Sequence, residues 1–166
     1  MEEQKETAFG CLSDAQRRLP EEFGRRGVRF IVIGGYAIRF YGYLRPAHDL
    51  DLVVDCAEDN LQQIKSSIEV LGARKTDEVV PRLRSGMKQI VKWNDTELWS
   101  SNFDRTYECL ARDAVEVRIG GAAGLLVSRA HLAAAKREAT RLPERDKRDQ
   151  DHADLAYLRR CGDTSV

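Results

Sequence analysis

No stretch of this sequence approaches the roughly 20 apolar residues needed to cross a bilayer as a helix. Neither sign of charge prevails, since 27 Lys and Arg stand against 27 Asp and Glu. The first absence removes a membrane helix from expectation. The second removes the basic excess that marks non-specific nucleic-acid binding, although a local basic groove fits inside a balanced total. Four cysteines, Cys11, Cys56, Cys109 and Cys161, are scattered with no CxxC or Cys/His ligand spacing, so incidental thiols in a reducing compartment are expected. His131 and His152 lack a second ligand four residues on, which argues against a helical zinc site. A P-loop is missing, as is a G-x-S-x-G nucleophile motif. The opening MEEQKETAFG is acidic and polar, unlike a signal or transit peptide. A cytoplasmic location is the expectation.

What is present suits one domain over residues 1–166. The length can bury a proper core, and 42% hydrophobic with 33% charged residues is ordinary for a globular chain. Phe9, Leu12, Leu19 and Phe23 predict a helix over Thr7–Arg26, kinked or divided at Pro20. "VRFIVIGG" reads as a short buried strand, Tyr36–Tyr41 as a brief helix and Asp49–Val54 as a second strand. Leu61, Ile64, Ile68 and Leu71 mark an amphipathic helix ended by Gly72. Weaker strands are expected at Val79–Leu83 and Gln89–Trp93, and a helix at Asn102–Ala111. "AVEVRIGGAAGLLV" reads as a hairpin. Ser128 caps a following helix, and a last one spans about Pro143–Arg160. The order predicts an α+β domain with a mixed sheet (core about 27–127) and trailing helices (about 128–161).

The sharpest chemistry lies in "IVIGGYAIRFYGYLRPAHDLDLVVD", residues 31–55. Strand alternation puts Asp49 and Asp51 on one face, roughly 6–7 Å apart, while Leu50, Leu52 and Val54 turn to the core. Two carboxylates so placed suit a divalent cation; without one they repel, and one holds its proton to higher pH. A solvated strand face is the plainer account of a lone DxD. Gly34 and Gly35 close the first strand without side chains, leaving backbone N–H groups open to a phosphate. Arg45 adds a cation between glycines and aspartates. By alternation His48 faces away from the acids. Trp93, Trp99, Phe103 and Tyr107 fit core or groove lining better than a stacking platform.

The order of apolar strand, Gly-Gly, short helix, Gly, Arg and D-x-D resembles the nucleotidyltransferase superfamily related to DNA polymerase β. It is most similar to minimal nucleotidyltransferases with the pattern GG-A-x(n)-G-x-x-R-x-T-x-D-x-D-L, and abortive-infection toxin and aminoglycoside nucleotidyltransferases share versions of it. Ala47 replaces the usual threonine, and Gly34-Gly35 stands where many relatives have Gly-Ser. "LLVSRAHLAAAKREATRLPERDKRDQDHADLAYL" resembles the family's trailing helices.

The resemblance implies Mg²⁺ on Asp49 and Asp51, an NTP substrate with its triphosphate cradled by Gly34 and Gly35, and phosphate contacts from Arg45 and Lys136. Asp151 and Asp154 would belong to the last helix, although a dense mixed-charge run is more simply a solvated helix face. The expected reaction moves an NMP to a hydroxyl of a tRNA, a protein or a small molecule. The family also draws a third carboxylate from a strand beside the D-x-D strand. The expected counterpart, "KQIVKW", has none, which leaves Asp95, Glu97 and Glu116 as candidates. Lacking that acid, the domain would be a weak or inactive binding module, an antitoxin or regulatory subunit with a partner protein.

Overall fold

The computed structural model describes residues 8–86 and 88–160. The expected helix start at Thr7 and the cysteine at 161 lie outside them. Helix α1 (Asp14–Arg26) begins where Ser13 and Gln16 cap each other reciprocally, and it ends at Gly27 in the left-handed conformation. The break expected at Pro20 falls earlier, at residues 10–13. Pro20 is buried inside a continuous helix.

Strand β1 (Phe30–Ile33) leads into α2 (Gly34–Phe40), followed by β2 (Leu50–Val54) and α3 (Glu58–Val70). After a 3₁₀ turn at Thr76–Glu78 comes α4 (Val79–Arg84), where a strand was expected. The buried residues of α4 are Val79, Val80 and Leu83, which is helical spacing. Pro81 falls in the first turn, where backbone N–H groups have no intrahelical partner to lose. β3 (Ile90–Trp93) and β4 (Thr96–Trp99) form an antiparallel pair across Asn94-Asp95, with Asn94 at φ 49°. The expected helix from Asn102 shrinks to α5 (Tyr107–Ala111). β5 (Val115–Ile119) and β6 (Ala122–Leu126) form the expected hairpin, then α6 (Arg129–Thr140) and α7 (Arg148–Arg160) trail.

The six strands make one mixed sheet in the order β3-β4-β2-β1-β6-β5. β1 runs antiparallel to β2 and parallel to β6, while β2 runs parallel to β4. The domain is thus α+β, a mixed sheet with flanking helices. Helix α1 covers the face that carries Phe30, Val32 and Leu52: Phe23 meets Phe30 at 5.6 Å between ring centroids. Leu50, Leu52 and Val54 are fully buried, as alternation requires. Val53, on the opposite face with Asp51, is fully buried too. The second face is therefore covered except near the acids. No described helix is long and apolar enough to cross a membrane.

Candidate functional site

The missed strand β4 decides the geometry of the acid face. In the parallel β2–β4 register Asp51 stands beside Glu97 and Val53 beside Trp99. Alternation then places Asp49, Asp51, Glu97 and Trp99 on one face. Glu97 is the acid that enters the neighbouring strand. The expected counterpart strand, β3, lies one place further out. Glu116 does not qualify: it is exposed on β5, three strands from β2, or roughly 14 Å at about 4.8 Å per strand. Asp95 acts through its backbone, its carbonyl accepting from the Leu50 N–H at 2.8 Å. The turn into β4 had a signal in "WNDTELW", where Asn-Asp suits a tight hairpin connection.

Both acid-bearing strands are pinned at their entrances by one buried side chain. The Gln16 amide donates to the carbonyls of His48 at 2.6 Å and Asp95 at 3.2 Å. Its oxygen accepts from the Tyr36 hydroxyl at 3.1 Å. The residues just before Asp49 and just before β4 are thereby tied to α1. His48 contributes only its carbonyl here, and its side chain is exposed.

Asp51 accepts a hydrogen bond from the Trp99 indole N–H at 3.3 Å. Burial, followed by repulsion from Glu97, pushes its pKa up to about 7; Trp99 and Lys147 only partly offset this. Glu97 meets the exposed Lys92 ammonium at 2.5 Å, which raises the lysine's pKa. The Lys147 ammonium lies 3.8 Å from Asp49. Lys147 was not foreseen; its only signal was a place in the mixed-charge run. Among the described residues, no three or more carboxylate, imidazole or thiol side chains stand together closely enough to hold a metal ion. Glu97 and Asp49 each turn toward a lysine.

Gly34 packs directly against this face. It has φ +67°, and a Cβ there would stand 2.2 Å from Asp51 Oδ2. Both the conformation and the space require glycine. Gly35 lies under the 42–49 loop, where an added Cβ would come within 3.1 Å of Ala47 and 3.4 Å of the Arg45 guanidinium. The glycine pair therefore bridges the acids and the cations.

Arg45 and Lys136 do meet, through a partner that the mixed-charge run concealed. Arg45 grips Asp154 with two hydrogen bonds of 2.7 Å. Lys136 reaches Asp154 at 2.7 Å and Asp151 at 2.8 Å, and Arg145 holds the other Asp151 oxygen. Asp151 and Asp154 are 1% and 0% exposed, so they are interior rather than a solvated face. Burial alone would raise both acids; Arg145 and Lys136 on one, Arg45 and Lys136 on the other, bring them below the usual carboxylate range. The network fastens α6, α7 and the 42–49 loop together.

This α+β domain matches no known family model and no curated protein. Among solved structures it is similar to an antigenic nucleotidyltransferase-like protein from Paracoccidioides brasiliensis. The TM-score is 0.49 at 12% identity, over 94% of this chain and 75% of that one.

Proposed function

We propose that the protein is a Mg²⁺-dependent nucleotidyltransferase that moves an NMP from an NTP to an acceptor hydroxyl. One observation carries the reading: Asp51 and Glu97 lie side by side on neighbouring parallel strands, with Asp49 on the same face and Gly34 against Asp51. Hard carboxylate oxygens beside a phosphate-accessible backbone are the donor set Mg²⁺ takes together with a triphosphate. The raised pKa of Asp51 fits the same purpose, because a cation relieves the repulsion that raises it. Bound there, Mg²⁺ would neutralise phosphate charge and lower the pKa of the attacking hydroxyl.

The chain's own groups supply the rest. Asp49, Asp51 and Glu97 would hold the cation, in place of their present pairing with Lys92 and Lys147. Gly34 and Gly35 let the triphosphate approach the backbone. Arg45, beside Gly35, would meet the phosphates, and the buried Lys136 would add charge from behind it through their shared partner Asp154. Three Arg45 N–H groups meet Asp154 and the Pro46 carbonyl, leaving two of the five guanidinium donors for an anion. The three cations and two carboxylates of the network carry a surplus positive charge suited to departing pyrophosphate. The binding-module alternative drew its motive from a missing third carboxylate, and Glu97 beside Asp51 supports the enzyme reading instead.

The test is equilibrium binding of each labelled NTP with Mg²⁺, followed by pyrophosphate release in the presence of cell extract. The variant Asp49→Ala with Asp51→Ala is expected to lose Mg²⁺-dependent NTP binding with its circular dichroism unchanged. Unaltered binding in that variant sinks the metal assignment.

A further inference from the structure

A second concavity opens at the edge of the sheet, beyond the acids. It has a volume of about 460 Å³ and lies between edge strand β3, the end of α3, the 3₁₀ turn and α4. Its floor is apolar, from Ile68, Val79 and the half-buried Trp93. Its rim is cationic, from Arg74, Lys75 and Arg82, with Glu78 the one acidic side chain lining it.

Neighbouring cations are already neutralised. Lys65 pairs with Asp77 at 3.0 Å, and Arg84 pairs with Glu58 at 2.5 Å. Among the described residues no ion pair engages Arg74, Lys75 or Arg82, and all three are exposed. The sequence agrees: residues 74–92 carry six basic and two acidic side chains in a chain of zero net charge. An aromatic wall beneath unpaired cations suits a ligand with a flat apolar body and a phosphate. Ion pairing would hold the phosphate and stacking would hold the base. The volume falls in the range of small-ligand sites.

The geometry points to this pocket as a nucleotide-binding site separate from the carboxylates, with phosphate on Arg74, Lys75 and Arg82 and a base against Trp93. A cationic small molecule is disfavoured by the same rim. Lys92 lines the pocket and also meets Glu97, so the two sites adjoin around β3. The ligand chemistry has two sources, a free nucleotide or one unit of a single-stranded RNA, and the test separates them.

The 166 residues contain two tryptophans, so Trp99→Phe leaves Trp93 as the sole indole reporter. AMP and a fluorescein-labelled 12-nucleotide oligouridylate are titrated in EDTA, which removes any divalent cation from the carboxylates. Trp93 emission is expected to quench with either or both probes. Arg74→Glu with Arg82→Glu is expected to weaken binding at least tenfold, and affinity should fall with salt. Asp51→Asn should bind as the parent does, which keeps this result independent of the metal reading. Quenching by oligouridylate alone assigns the site to a strand, and quenching by AMP alone assigns it to a free nucleotide. The inference is overturned if neither probe quenches Trp93, if the charge reversal leaves affinity unchanged, or if Asp51→Asn abolishes binding. Equal competition by a polyglutamate peptide also overturns it, since the pocket would then read charge alone.

Discussion

Two groups of carboxylates are treated in opposite ways by this domain. Asp151 and Asp154 are enclosed but fully partnered by Arg45, Lys136 and Arg145, which brings their pKa values down. Asp51 stands beside Glu97 with a single indole N–H and a distant lysine to relieve it, and its pKa rises to about 7. The same residue type is a neutralised structural tie in one setting and an acid facing another acid in the other. What separates them is which neighbours the topology supplies. The first pair meets cations across α6, α7 and a loop, while the second meets another acid across a β ladder.

Breaking the tie has the largest expected effect on stability. Asp154→Ala strands Arg45 and Lys136 with little solvent to replace their partner, and should cost about 3–5 kcal/mol in urea unfolding. A loss under about 1 kcal/mol would show that the network is dispensable. Next comes the join between the two regions. Gly34→Ala drives a Cβ into Asp51 and forces a left-handed backbone on alanine, for about 1–3 kcal/mol of destabilisation. Mg²⁺-dependent nucleotide binding should fall with it, read by calorimetry.

The smallest effect on stability has the opposite sign. A carboxylic acid whose pKa is raised on folding makes the native state hold more protons than the unfolded chain between pH 4 and 7. Stability from this group is therefore greatest at low pH and declines as pH rises toward 7. Asp51→Asn removes that decline, so the ligand-free variant should be more stable than the parent at pH 8 by about 1 kcal/mol, or roughly 2–4 °C in Tm. That figure is discounted because Asp51 is partly open to solvent. At pH 4 the two chains should melt together. A variant less stable than the parent at pH 8 would mean that the Asp51 charge is already compensated.

Much of this was legible in residue order. Alternation in "DLDLVV" placed Leu50, Leu52 and Val54 inside and lifted the aspartates to the other face. The hairpin and the trailing helices followed from equally local signals. What escaped was set by tertiary partners. Val79 and Val80 favour a strand locally, yet their burial with Leu83 on one side makes a helix. β4 is four residues long, too short for periodicity to distinguish, so Glu97 could not be ranked above Asp95 and Glu116. Asp151 and Asp154 sit in a run whose composition reads as solvated surface. Arg45, 109 residues away from Asp154 in sequence, joins Lys136 and Arg145 in making them interior.

The central claim is that Glu97 completes a cation site with Asp49 and Asp51, and its most direct test is Mn²⁺ binding followed by electron paramagnetic resonance. The parent chain is predicted to bind Mn²⁺ in the presence of NTP with proton release, more tightly as pH rises to about 7 and evenly above it. Glu97→Gln, which keeps shape but loses charge, should weaken binding at least tenfold with unchanged circular dichroism. Equal Mn²⁺ affinity in parent and Glu97→Gln would contradict the account.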